Sequence, residues 1–321
     1  MKKLMGSIIK ACISLIFILA LLWIMRNEID DALRAIKSTN LLIFAAGFLL
    51  YISSTLILAI RLRGILNVQS IRISLLEALL FTFIGYFFNN FLPSAVGGDA
   101  VKAYYISKKT NRTLESVTSV LLDRLIGMFS LVIMAGVAII FLSHVIDNKN
   151  VTIGIYAVIS LSVLFFILLF NKNLAKKFNF ILTPFKMLKL DSKVKKLYDA
   201  MHGYMNHRGG MLQSFYLSII AQVMTISIIY LLGLSISVNM SFLMLFLIMP
   251  IIFTVSIFPS LNGLGVREAG FVYFLKGMAG ADKAFAISLL WLATTLLGSF
   301  IGGLGYALRG QLKIEGQNIN W

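Results

Sequence analysis

Asn89-Asn90-Phe91-Leu92-Pro93-Ser94-Ala95-Val96-Gly97-Gly98-Asp99 cuts short an apolar stretch that spans only 74–92. Proline ends a helix, and glycine admits backbone that other residues avoid, so Pro93 with Gly97 and Gly98 reads as a break. Lys102, Lys108, Lys109 and Arg112 follow, with no acid over 101–113. If 74–92 crossed a membrane, these four bases would lie on the outer face. If it turns at Pro93 and returns, they share a side with Arg61, Arg63 and Arg72 of the stretch 61–72. Short loops rich in Lys and Arg stay in the cytoplasm. The pattern therefore favours a re-entrant hairpin over residues 74–107, against the plainer reading of kinked helices with Pro near an interface.

A second apolar stretch, 241–258, ends in Phe258-Pro259-Ser260-Leu261-Asn262-Gly263-Leu264-Gly265-Val266-Arg267-Glu268. Both turns read Pro-Ser-x-x-Gly, and a base follows each proline by eight or nine residues: Lys102 in the first, Arg267 in the second. A hairpin over 241–278 is expected, entering from the outer face where the first enters from the cytoplasm. Backbone broken in this way is tolerated in lipid only where it is buried in protein or lines a wet cavity. Two broken segments in corresponding halves point to a transporter's binding site. The expected turn residues are Pro93, Gly97, Gly98, Pro259, Gly263 and Gly265.

The rest of the chain supports a membrane setting. Of 321 residues, 59% are hydrophobic and 13% charged, against roughly half and a quarter in soluble domains. A helix needs about 20 apolar residues to cross the hydrocarbon. Stretches of that kind lie at 7–25, 41–60, 114–142, 152–170, 212–233 and 284–308. The first follows Lys2, Lys3 and Lys10 and is followed by Arg26-Asn27-Glu28 with no small-x-small cleavage site, so it reads as a retained span. The fold expected is an all-α polytopic membrane helix bundle: six full spans and two opposed re-entrant hairpins in one integral membrane domain over 1–321. Its halves, 1–142 and 152–321, would form an inverted repeat. Both termini and the basic segment 171–211, with nine Lys and Arg, would face the cytoplasm, and the protein would be multi-pass in the inner membrane.

Several function classes drop out. The formal charge of +16 in so apolar a chain reads as attraction to an anionic membrane surface, with no nucleic acid as partner. Cys12 alone, with His144, His202 and His207 scattered, offers no disulfide framework and no metal cluster. Asp30-Asp31 lacks a third ligand. There is no Gly-rich ATP loop, no His-Glu-x-x-His and no Gly-x-Ser-x-Gly, so no catalytic residue, metal or cofactor is expected.

Glu77, Asp99, Asp123, Arg124, Arg267 and Glu268 stand in or beside the apolar stretches. Charges at that depth are costly and mark function or internal pairing. Pairing of Arg124 with Asp99 or with Glu268 is the structural reading. The functional reading takes Arg267 and Arg124 to a lipid phosphate, since a guanidinium fork suits it better than an ammonium. Asp123 joins the same head-group set. Glu268 and Asp99 then hold a cationic head group or orient the arginines. Asn90 and Asn262, with Asn89, serve head-group hydroxyls or satisfy the broken backbone. The phenylalanines at 81, 83, 87, 88 and 91 read as lipid-facing or as packing surface.

Three segments, Leu92 to Asp99, Leu122-Asp123-Arg124-Leu125-Ile126-Gly127, and Pro259 to Ala269, carry a resemblance over nearly the whole chain. The sequence resembles the membrane region of the lysylphosphatidylglycerol synthase/flippase proteins. The resemblance implies lipid handling. In fused members the membrane part moves aminoacylated phosphatidylglycerol between leaflets, and a soluble domain makes that lipid from aminoacyl-tRNA. With twelve residues after Arg309, the synthase domain of the fused members is not expected here. Other relatives are tied to hopanoid or polyprenyl-glycolipid processes, so the lipid does not carry over. The expectation is a lipid translocase for an anionic or modified phospholipid or a lipid-linked precursor. The competing reading is a membrane-embedded transferase on a lipid-linked sugar or aminoacyl lipid, with Asp99, Asp123 or Glu268 as acid or base. The basic segment 171–211 offers a docking place for a lipid-synthesising enzyme, and oligomerisation is left open.

Overall fold

The computed structural model describes residues 26, 29–91, 97–142, 149–170, 204, 207–256 and 264–311. The expected first span, the segment 171–203, and Pro93, Pro259, Asn262 and Gly263 lie outside them. Every regular element among the described residues is an α-helix. In chain order these are α1 (Ile29–Lys37), α2 (Leu41–Val68), α3 (Leu75–Phe91), α4 (Gly97–Thr110), α5 (Thr113–Leu142), α6 (Lys149–Phe170), α7 (Arg208–Ser235), α8 (Phe242–Val255), α9 (Val266–Ala279) and α10 (Ala281–Gln311).

Four of them contain apolar stretches long enough to cross a membrane: Leu41–Val68, Thr113–Phe141, Gly209–Ser235 and Ala281–Leu308. At 1.5 Å per residue each exceeds the roughly 30 Å of hydrocarbon. The stretch expected at 152–170 falls on α6, a helix over Lys149–Phe170. Leu49, Ile140, Phe141 and Phe300 are exposed at the outside of the bundle, while Ser54, Thr55, Ser130, Ser214, Ser218 and Thr294 are buried within it. A surface this apolar around a polar interior suits lipid as the solvent. Several buried hydroxyls donate to carbonyls one turn back, as in Thr55 to Tyr51 and Ser218 to Ser214. This is a multi-pass helical membrane protein.

The helix starts follow local chemistry. Asn40 caps α2, its side-chain oxygen accepting from the amides of Leu42 and Ile43. Ser74 and Glu77 form a capping box at α3, each side chain accepting from the other's amide. Ser241 caps α8, accepting from the Met244 amide.

Contacts fix the helix directions. Helix α7 packs most extensively on α2. The Asn40 amide donates to the Ser235 carbonyl at one end of this pair, and Gly210 faces Val68 at the other. The two are therefore antiparallel. Helix α3 leaves from the Val68 end and α8 from the Ser235 end. At the Val68 end, Lys109 near the close of α4 pairs with Glu77 in the first turn of α3, and Arg112 donates to the Gln69 carbonyl. So α3 and α4 run out and back to the same end. Helix α9 ends at Ala279, and after Gly280, whose φ is +83°, α10 returns from the opposite end. Late in α10, Gly305 lies against Leu80 and Gly302 against the Phe83 backbone, near the start of α3.

One boundary corrects the sequence reading. The apolar stretch expected to end at 60 continues as helix to Val68, so Arg61 and Arg63 are helical. Arg61 and Lys102, read as loop charges, are both buried. Apolar runs mark where side chains like lipid; they do not mark where a helix ends.

Candidate functional site

A cavity of about 500 Å³ opens inside the bundle. On α2 it is lined from Tyr51 to Arg61, on α5 from Asp123 to Leu131, on α7 from Ser218 to Ile226 and on α10 from Trp291 to Ser299. All these positions lie within about seven residues of their helix midpoints, or about 10 Å along the axis. The shorter helices reach the cavity mainly toward their broken ends, α3 from its middle onward. From α3 come Thr82, Tyr86, Asn89 and Asn90, from α4 Asp99 and Lys102, from α8 Pro250, Phe253 and Ser256, and from α9 Arg267.

Local rules place these side chains. Gly98 opens α4 against α3, and a methyl group there would land on the Gly85 carbonyl oxygen. The Gly98 amide donates to the Asn89 side chain at 2.9 Å, so Asn89 satisfies the backbone freed at the break. Asn90 donates to Ser299 on α10, whose hydroxyl bonds the Tyr86 carbonyl. Gly265, with φ at +83°, precedes α9, and its amide donates to Glu268 Oε2 at 2.6 Å. Pro250 has no N–H, so α8 loses a helical hydrogen bond at the cavity wall.

The charges form two groups. Arg61 Nε donates to Asp123 Oδ1 at 2.8 Å, and its Nη1 donates to Ser218 at 2.8 Å. Lys102 lies 3.9 Å from Asp123 Oδ2 and 3.4 Å from Asp99 Oδ1. Arg124 pairs with the other Asp99 oxygen. A continuous chain thus runs Arg61, Asp123, Lys102, Asp99, Arg124. Separately, Arg267 donates from Nε and Nη2 to Glu268 Oε1, at 3.0 and 2.6 Å. Its Nη1 makes no hydrogen bond among the described residues. A buried pair of this kind holds only when its hydrogen bonds are well made. Gly127 leaves the Arg61 guanidinium its space, since a side chain there would meet it at 3.1 Å.

Of the residues expected from sequence, Asp99, Asp123, Arg124, Arg267 and Asn90 line this cavity. Glu268 stands behind Arg267 and orients it rather than offering a free carboxylate. Arg124 takes Asp99, not Glu268, as its partner. The bases that follow the two prolines, Lys102 and Arg267, reach the same cavity from α4 and α9. Sequence reasoning missed Arg61, Ser218, Gln222, Tyr51 and Trp291. Gln222 donates to Ser130 at 2.7 Å, and Trp291 packs edge-on against Tyr51 at 6.3 Å between ring centres. Among the described residues no group of three or more metal-ligating side chains occurs.

The model of the lysylphosphatidylglycerol synthase TM region matches residues 8–303. The chain belongs to the lysylphosphatidylglycerol synthase TM-region family. The match takes in both broken helix pairs and every residue that lines the cavity. A UPF0104 membrane protein, PH1989 of Pyrococcus horikoshii, is 29% identical over 132 residues, which cover 40% of this chain and 39% of that protein. No solved structure matches the chain.

Proposed function

We propose that this family member moves a phosphate-bearing membrane lipid between the leaflets of the cytoplasmic membrane. The supporting observation is the cation-lined cavity at mid-length of four membrane-crossing helices, where the broken ends of two short helix pairs meet. Transporters bind substrate near the bilayer midplane at such breaks. In this reading α3–α4 and α8–α9 are re-entrant hairpins from opposite faces. The Val68 end, beside Arg72, Lys109 and Arg112, is cytoplasmic, as are both termini. Arg124 and Arg267 contact the phosphate, with Lys102 between the two aspartates. The acyl chains stay in the bilayer.

The transferase reading gains nothing from the geometry. Asp99 and Asp123 each hold two cations, and Glu268 holds Arg267 and a backbone amide, which leaves no carboxyl set against a nucleophile.

The test is reconstitution into vesicles with acyl-chain-labelled phosphatidylglycerol, following access of the outer leaflet's impermeant reductant to inner-leaflet label. Faster loss of protection than in empty vesicles is expected. No acceleration for anionic phospholipids or polyprenyl phosphates would defeat the proposal.

A further inference from the structure

We infer that an uncharged, aromatic wall of the cavity reads a hydroxyl on the lipid's head group, with Tyr51, Gln222 and Trp291 as the reading residues. The inference rests on the translocase reading and names its substrate class, a phospholipid with a hydroxyl-bearing head.

Tyr51, Tyr86, Phe253 and Trp291 come from α2, α3, α8 and α10 and line the cavity. Their rings follow one another: Tyr86 to Tyr51 at 6.4 Å between centres, Tyr51 to Trp291 at 6.3 Å, and Trp291 to Phe253 at 5.9 Å. Gly298 leaves the phenol its place against α10, since a methyl group there would lie 2.9 Å from the Tyr51 oxygen. Rings give such a wall area, and a few polar atoms give it orientation.

Those polar atoms are unmatched. Tyr51 is only 8% exposed, yet its hydroxyl makes no hydrogen bond among the described residues. The Trp291 indole N–H and Gln222 Oε1 are buried and have no partner among the described residues either. Buried phenol and indole groups ordinarily find one. The Gln222 amide cannot be turned round to supply it. Ser130 donates its hydroxyl proton to the Gly127 carbonyl at 2.8 Å, so its oxygen accepts from Gln222 Nε2 at 2.7 Å, and Oε1 is left as an acceptor. The wall thus offers a donor at Trp291, an acceptor at Gln222 and a group that is both at Tyr51. A hydroxyl donates and accepts, and so matches all three. An ammonium only donates and leaves the indole unmet, and an alkyl group meets none of them. The Trp291 and Gln222 atoms sit beneath the cavity surface, so a slight turn of either side chain brings them to the guest.

The experiment compares acyl-chain-labelled phosphatidylglycerol with phosphatidylpropanol, which has the same charge and carbon skeleton but no head-group hydroxyl. Each is a trace in phosphatidylcholine vesicles holding the purified protein. Phosphatidylglycerol should move about tenfold faster, the scale of a lost hydrogen bond at a buried site. Equal rates overturn the inference and leave the translocase reading standing. Tyr51→Phe keeps the ring and should bring the two rates within about threefold of each other. A merely structural role would slow both lipids by the same factor, and a ratio that stays at about tenfold in this variant overturns the inference. A second readout needs no transport. With Trp23→Phe and Trp321→Phe as background, emission comes from Trp291 alone. Short-chain phosphatidylglycerol in detergent should shift that emission to the red, as a new hydrogen bond at the indole does, and phosphatidylpropanol should not. The same shift with both lipids, or none with either, overturns the inference. Movement of no lipid overturns the translocase reading, and the emission then decides the hydroxyl site by itself.

Discussion

Asp123 and Arg61 stand 62 positions apart in the chain, yet their side chains meet at 2.8 Å with only 8% and 7% of their surfaces exposed. The pair ties α2 to α5 and is anchored on α7 through Ser218. Removing Asp123 strands the buried Arg61, and removing Arg61 leaves the buried Asp123 with Lys102 at 3.9 Å. Arg61→Ala or Asp123→Ala should each cost about 3–5 kcal/mol of stability. The double variant should cost less than the sum of the two singles. Thermal unfolding in detergent reads all three, and strict additivity would mean the pair is not coupled.

Arg267 presents its fork through Glu268. Arg267→Lys should keep the fold and slow lipid movement about tenfold to a hundredfold, since an ammonium cannot replace a bidentate donor. Glu268→Ala removes both the hold on Arg267 and the acceptor for the Gly265 amide, so it should also destabilise α9 by about 1 kcal/mol or more. In the double variant Arg267→Ala with Glu268→Ala no charge is stranded. Recovery of wild-type lipid movement there would take Arg267 out of the site.

Glycines at two helix crossings separate contact from conformation. Gly98→Ala directs a methyl group at the Gly85 carbonyl oxygen, and Gly302→Ala directs one at that of Phe83. Backbone cannot step aside as a side chain does, so each should cost about 3 kcal/mol or more. Gly277→Ala, with no heavy atom within 4 Å of the new methyl, should be neutral or stabilising by up to about 1 kcal/mol. Equal unfolding temperatures for all three would contradict the close crossings.

Topology is open to labelling. With Cys12→Ser as background, cysteine at Lys109 should react with an impermeant thiol reagent only from the cytoplasm. Cysteine at Asp282, in the first turn of α10, should react only from outside. Labelling of both from one face would rule out hairpins from opposite faces.

The sequence alone determined the solvent and the breaks. Composition, apolar run lengths and the two Pro-Ser-x-x-Gly segments specify an all-helical membrane chain, because lipid leaves the backbone few other ways to satisfy its hydrogen bonds. They also marked Asp99, Asp123, Arg124, Arg267 and Glu268, since charge within an apolar stretch is conspicuous. Which charges meet was decided only by the tertiary structure. Arg61 and Arg63 look alike in the sequence, both at the end of an apolar run. Two residues are about 200° apart around a helix, so Arg61 turns into the cavity at 6% exposure while Arg63 remains outside. Lys102 differs from Lys108 and Lys109 in the same way, being buried where they are exposed. Helix phase and the packing partner of each face set these outcomes. Both depend on residues far away in the chain, and no local pattern of bases records them.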